Sequence, residues 1–258
     1  MDEAVQPILE ARGLSRHFGG LVAVNNLSFA VQPVTIHGLI GPNGAGKTTT
    51  FNLISGFYAP TAGHVIYQGR DVSGMRTSAL ARLGLVRTFQ GVTLFKEFTV
   101  LDNVRVGFHG SAGAGIFSRI LGTDAPVEAR VTERAGDLLA FFGLYELRHE
   151  LAGNLSHGHA RALGMAVAFA AEPKLILLDE PFTGMNPEET RTMMGLIRSV
   201  RDRGVTIMLV EHDMQAVMGL CDVITVMNFG SRLTEGSPEE IRNDPAVIEA
   251  YLGRPDAA

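Results

Sequence analysis

Leu39-Ile40-Gly41-Pro42-Asn43-Gly44-Ala45-Gly46-Lys47-Thr48-Thr49-Thr50 is the stretch that decides the fold. Residues 41–48 fit the pattern G-x-x-x-x-G-K-[ST], and their flanks suit such a loop. The apolar run Val34 to Ile40 predicts a buried strand, and Thr48 onward predicts a helix. Glycines at 41, 44 and 46 let the backbone wrap closely around an anion with its N–H groups turned inward, and the helix N-terminus adds partial positive charge. Gly41, Pro42, Asn43, Gly44, Ala45, Gly46, Lys47, Thr48 and Thr49 are therefore the candidate nucleotide-phosphate site. In it Lys47 supplies a mobile charge for the β- and γ-phosphates, and the Thr48 hydroxyl is expected to ligate Mg2+.

The bulk composition excludes several classes of partner. A chain of 258 residues is long enough to bury a substantial core, and its formal charge of −5 argues against nucleic acid, since no Lys/Arg block is available to neutralise phosphates. A single cysteine, Cys221 in an apolar neighbourhood, rules out an internal disulfide and suits the reducing cytosol as a small buried hydrophobe. The N-terminal MDEAVQPILEARG is acidic where a signal peptide would be basic, and no apolar run approaches the roughly 18–20 residues that span a bilayer. Membrane association is expected only through partners.

Outward from the loop, short β-like runs at Ile8 to Arg12, Leu27 to Val31 and His64 to Tyr67 alternate with turn signals at Phe18-Gly19-Gly20 and Gln68-Gly69-Arg70. They predict an antiparallel sheet beside the phosphate-loop core. Beyond Gln90, Val100 to Phe108 and Val127 to Phe142 read as helices, the second with Val131, Ala135, Leu138, Leu139 and Phe142 at helical spacing. Gly110 to Gly115, between them, reads as a flexible connection. The expected fold class is thus α/β: a P-loop NTPase core with an antiparallel β subdomain and an inserted helical subdomain. Its span is 8–253, with core and β subdomain at 8–90 and 172–253 and helices at 91–171. Leu175 to Leu178, a helix over Pro187 to Arg201 and Val205 to Val210 predict a parallel βαβ unit. Ser237-Pro238-Glu239-Glu240 predicts a capping box, and Pro245 to Leu252 a last short helix.

Asp179-Glu180-Pro181 follows the apolar strand, which is expected next to the phosphate-loop strand. Asp179 is assigned to support the metal and Glu180 to act as general base on an attacking water. Asn154-Leu155-Ser156-His157-Gly158-His159 opens a helix read over Ala160 to Ala171 and offers a second anion-binding N-terminus. One chain rarely needs two for one nucleotide, so this one is expected to serve the nucleotide of a neighbouring subunit.

The order of these motifs resembles the ATP-binding subunits of ABC transporters: GPNGAGKTT, Gln90 in RTFQ, LSHGH, LILLDEP, the turn Gly184-Met185-Asn186-Pro187 and His212 in VEHDM. HFGGLVAVNNLSF, GFYAPTAG, RTFQGVTLFKEFTVLDNV and EGSPEEIRNDPAVIEAYLG look more particularly like the branched-chain amino acid transport ATPases, a subfamily that includes importers of urea and other small amides or acids. The resemblance implies ATP and Mg2+ as cofactors, a second ATPase subunit, transmembrane permease subunits and, indirectly, an extracytoplasmic solute-binding protein as partners, and a place at the cytoplasmic face of the membrane. It implies adenine stacking for Phe18, metal contact and permease sensing for Gln90, γ-phosphate contact across a dimer for Ser156 and Gly158, and a γ-phosphate switch for His212. Asn186 lies in the turn that crosses the dimer, where many relatives carry Asp. In the signature, His157 and His159 stand where the common pattern LSGGQ has Gly and Gln. Phe95 and Phe98 follow Gln90; they offer a groove for a permease helix, with at least one of them expected in the subdomain core. Two other readings remain open: a non-transport ATPase of the same class, and a module that closes on ATP and scarcely hydrolyses it.

Overall fold

The computed structural model describes residues 6–88, 94–109 and 125–252. A long hairpin of β1 (Leu9–Phe18) and β2 (Leu21–Val31) leads to β3 (Ile36–Ile40), α1 (Lys47–Ile54), β4 (Ala62–Tyr67), β5 (Arg70–Asp71), α2 (Thr77–Arg82) and β6 (Leu85–Thr88). Helices α3 (Val100–His109), α4 (Ala125–Phe141) and α5 (His157–Ala170) follow. The chain then runs through β7 (Leu175–Asp179), α6 (Pro187–Asp202), β8 (Thr206–Val210), α7 (Met214–Leu220), β9 (Val223–Asn228), β10 (Ser231–Gly236), α8 (Pro238–Asn243) and α9 (Pro245–Leu252).

Two sheets form, an antiparallel one in the order β2-β1-β4-β5 and a six-stranded one in the order β10-β9-β3-β8-β7-β6. The second is parallel from β9 to β6, with β10 antiparallel at its edge. Every residue of β3, β7 and β8 is buried, as continuous apolar runs in a parallel sheet covered on both faces should be. Side chains alternate between two cores. Ile36, Ile176, Leu178, Ile207 and Leu209 face Val104, Leu139, Leu163 and Ile197 of the helices. Leu39, Leu175, Leu177, Met208 and Val210 face Leu9, Leu27 and Phe29 of the antiparallel sheet and Phe51 of α1.

The structure corrects four expectations. The Asp179 strand is not next to the phosphate-loop strand: β8 lies between them, because it pairs β7 on one edge and β3 on the other. The strand expected from Val34 begins at Ile36, since Val34 turns with φ 57° and donates its amide to the Thr206 hydroxyl at 2.9 Å. The helix read from Ala160 begins at His157, because Ser156 caps it, its hydroxyl accepting from the His159 amide at 3.3 Å. Neither Phe95 nor Phe98 enters the core; they are 48% and 45% exposed and stack on each other with centroids 5.1 Å apart. Gly110 to Gly115 lie outside the described residues. Cys221 is buried as expected, and burial pushes its thiol up to about 12.

One polar chain crosses the parallel sheet. The His37 Nε2 lies 2.8 Å from Thr225 Oγ1, and that hydroxyl donates to Glu235 at 2.5 Å, which makes Nε2 the donor of the pair. Burial lowers the imidazole's pKa from 6.5 to about 4. The folded state therefore holds His37 neutral while the unfolded chain takes up a proton below 6.5, so stability is complete above 6.5 and falls as pH drops toward 4. Between pH 6.5 and 5 the native protein should lose roughly 1.5 kcal/mol more than His37→Gln in urea unfolding. Parallel slopes for the two proteins would remove His37 as the source.

Candidate functional site

The phosphate loop joins the carboxyl end of β3 to the start of α1. Its glycines answer to space as well as to φ. A Cβ at Gly41 (φ 151°) would lie 2.2 Å from the Met227 carbonyl oxygen, and one at Gly46 (φ 98°) 2.4 Å from that of Ala23. Gly44 (φ 80°) meets nothing within 4 Å. Gly46 is also the N-cap of α1 and offers no side-chain cap, so the first-turn amides of Lys47, Thr48 and Thr49 are left for a ligand. The Lys47 ammonium donates to the carbonyls of Gly41 at 2.6 Å and Pro42 at 3.0 Å. Burial lowers its pKa, and the charge of Glu180 pulls it partly back. A glycine-lined concavity, uncapped amides and a lysine at its floor fit a nucleotide's phosphate chain.

Asp179 ends β7 and is held by Arg87 of β6. The Arg87 Nη2 donates to Asp179 Oδ2 at 2.7 Å, and its Nη1 donates to Asn52 Oδ1 at 2.6 Å and Ser55 Oγ at 3.0 Å. The two charged side chains are 4% and 9% exposed. Thr48, Asn52 and Ser55 recur at helical spacing on one face of α1, so Thr48 lies on the face that grips the Arg87–Asp179 pair. Oδ1 of Asp179 and the exposed Thr48 hydroxyl are hard oxygen donors of the kind Mg2+ takes, usually alongside phosphate and water.

Glu180 follows with φ 47°, its amide donating to Val210 O at 2.9 Å and a carboxylate oxygen accepting from the Thr183 hydroxyl at 3.2 Å. His212, just past β8, sets Nδ1 at 3.9 Å from Glu180 Oε1 and 3.7 Å from Glu211 Oε2. The carboxyl ends of β3, β7 and β8 thus bring Lys47, Asp179, Glu180 and His212 to one edge, the position at which open α/β sheets take ligands.

Phe18, at the end of β1, is 38% exposed, with the Arg16 guanidinium 4.6 Å over its ring and Tyr58 edge-on at 5.3 Å. Ser156 and Gly158 lie elsewhere, in a cleft with Phe141, Glu188 and Glu189 whose lining includes no phosphate-loop residue. Asn186 caps α6 in a reciprocal box with Glu189. His157 and His159 are exposed. Gln90 lies outside the described residues. Arg87 and Glu211 went unread in the sequence; the signal was a charged residue within or just after an apolar strand, in RTFQ and VEHDM.

The ABC transporter family model matches residues 24–183, and a branched-chain amino acid ATP-binding cassette transporter model matches 231–257. The chain is 46% identical over 251 residues to the high-affinity branched-chain amino acid transport ATP-binding protein LivG of Salmonella typhimurium, spanning 96% of this chain and 98% of the relative. It belongs to the ATP-binding subunits of ABC transporters. BraF of Pseudomonas aeruginosa, a high-affinity branched-chain amino acid transport ATP-binding protein, is 42% identical over the same share of each chain. A nucleotide-free ATP-binding cassette from an ABC transporter superposes with a TM-score of 0.85 at 31% identity, covering 96% of this chain and all of that one. This ATP-binding subunit hydrolyses ATP and couples the reaction to transport, as part of a membrane transporter with permease subunits. Among the described residues no helix is long and apolar enough to cross a membrane.

The Arg87–Asp179 pair should be stiffly required for folding. Arg87→Met leaves a buried carboxylate without its cation, and urea unfolding at pH 7 should show a loss of about 3–5 kcal/mol. A loss below about 1 kcal/mol would mean that Asp179 does not depend on the guanidinium.

Proposed function

We propose that this subunit powers import of branched-chain or closely related small amino acids. In this reading it closes face to face with a second ATPase subunit at the cytoplasmic side of permease subunits that receive substrate from an extracytoplasmic binding protein. The transported class is carried by the names of the relatives, LivG and BraF, and by the match over residues 231–257. Import of urea or another small amide is the alternative cargo. Uptake of labelled leucine and labelled urea by cells with and without the gene decides between them; loss of neither would end the import reading.

The chemistry rests on one observation: Glu180 lies within Coulombic reach of Lys47 and beside His212 at the strand edge. Lys47 and the loop amides hold the phosphates, Glu180 accepts the proton of the attacking water, and His212 meets the γ-phosphate. Thr48, Asp179 and Gln90 hold Mg2+, which neutralises phosphate charge when bound. Phe18 stacks on adenine. Ser156 and Gly158 contact the γ-phosphate held by the partner subunit; their separation from the phosphate loop within this chain supports that role. Residues 91–171 act as one helical subdomain, and the exposed Phe95–Phe98 stack supports permease docking near it.

Glu180→Gln should keep ATP binding, nearly abolish turnover and give an ATP-stabilised dimer on gel filtration. Turnover within about threefold of native would remove Glu180 from this role. Phe95→Ala should weaken co-purification with the permease and leave the isolated subunit folded, since the residue lies outside the core and is 48% exposed. Full co-purification of the folded variant would end the docking role.

A further inference from the structure

Glu211 is 1% exposed, directly follows the fully buried strand β8 and directly precedes His212. Oε1 accepts from the Phe182 amide at 2.9 Å. Oε2 accepts from the His212 amide at 3.0 Å and reaches the Asp213 amide at 3.4 Å. One carboxylate therefore spans two loops: the one that leaves Glu180 through Pro181, and the one that carries His212. Burial pushes the Glu211 pKa up, and the three amides pull it back toward the ionised form that can accept from all of them.

Both loops need such a tie. Glu180 has a left-handed backbone at φ 47°, a conformation costly for a residue with a Cβ unless its surroundings hold it. Its amide is fixed to Val210 O, but the chain beyond it turns away through Phe182. On the other side, Asp213 caps α7 by accepting from the Gln215 amide at 2.9 Å and the Ala216 amide at 3.1 Å. His212 is thus gripped by Glu211 before it and by the capped helix after it, while its ring stands in solvent.

We propose that Glu211 is a positioning residue that holds the Glu180 loop and the His212 loop in one register, so that both side chains reach the γ-phosphate together. The inference rests on the roles proposed for Glu180 and His212. Glu211 touches no substrate in this account. A side-chain amide in its place has one acceptor oxygen, and its NH2 group opposes a backbone N–H, so one of the two loops must let go.

The test measures kcat, KM and equilibrium ATP binding for Glu211→Gln, on the native background and on His212→Ala, at a temperature where circular dichroism shows every variant folded. A misplacement of about 1 Å at a reacting group costs up to about 100-fold, so kcat should fall at least about tenfold with KM and ATP affinity within about twofold. On the His212→Ala background the same substitution should cost less, because only the Glu180 loop is then left to be placed and no register between two side chains remains to be lost. Glu211→Asp retains the charge but is one methylene too short to span both loops. It should repeat the split, and it carries the test if the glutamine variant fails to fold. A kcat within about twofold of native, a parallel loss of ATP affinity, or an equal fractional loss on both backgrounds would each overturn the positioning role. If Glu180→Gln itself retains turnover, the parent reading has failed instead.

Discussion

Two carbonyl oxygens, those of Met227 and Ala23, set the shape of this molecule, because they press on the phosphate loop where no side chain fits. Gly41 backs onto β9 of the parallel sheet and Gly46 onto β2 of the antiparallel one. Gly230, at the β9–β10 turn, completes the joint: its amide donates to Ala45 O at 3.0 Å and its carbonyl accepts from the Asn25 amide at 2.8 Å. The loop is thus the seam between the two sheets. Its curvature is imposed from behind by backbone and does not wait for a ligand in front. Any Cβ at 41 or 46 would have to push the sheets apart, which links the fold's integrity to the loop's ability to wrap an anion.

From that seam the rest of the site follows by strand order. With β3, β8 and β7 side by side, the phosphate loop, His212 and Asp179-Glu180 leave the sheet at the same edge, in that lateral sequence. β8 between the other two is what lets His212 stand beside Glu180. Arg87 ties the far side back to α1 through Asn52 and Ser55, so the helix that begins at the loop is also clamped to the Asp179 strand. A buried pair of this kind contributes more to arrangement than to net stability, since two desolvated charges recover little beyond their cost.

The loop, the Asp179-Glu180 strand end, the buried βαβ unit and the Ser237 capping box were legible because each is a local pattern with a local cause. The capping box formed as read, with Ser237 and Glu240 bonding reciprocally. What the sequence hid was lateral. Nothing in Leu175 to Leu178 says which strand lies beside it, and pairing across β8 depends on a crossover that local periodicity does not encode. Val34 read as strand because a β-branched residue favours one, yet its φ of 57° serves a turn anchored by Thr206, far away in sequence. Phe95 and Phe98 read as partly core because aromatic residues usually are; each instead covers the other. Arg87 and Glu211 showed in the sequence only as charges within or just after an apolar strand; what they do depends on Asn52, Asp179 and Phe182, residues that only the folded sheet brings near.

The three acidic residues at this edge differ in a way that bears on what each can do. Asp179 is neutralised by a guanidinium and its side chain is 9% exposed; Glu211 is 1% exposed, and backbone amides satisfy it. Glu180 keeps 27% of its side chain accessible, with a hydroxyl on one oxygen and the imidazole of His212 across from the other. The guanidinium fixes Asp179 and the backbone amides fix Glu211 in place, whereas Glu180 is the most exposed of the three. The environment therefore separates chemically similar groups into a carboxylate clamped by a cation, one held by backbone amides and one open to solvent, an ordering that suits the roles proposed for them as metal anchor, loop staple and base. That ordering follows from which strand end each occupies: Asp179 is the last paired residue of β7, Glu211 lies beneath the loop after β8, and Glu180 stands one residue beyond the ladder, where the backbone turns left-handed and lifts its side chain out of the sheet.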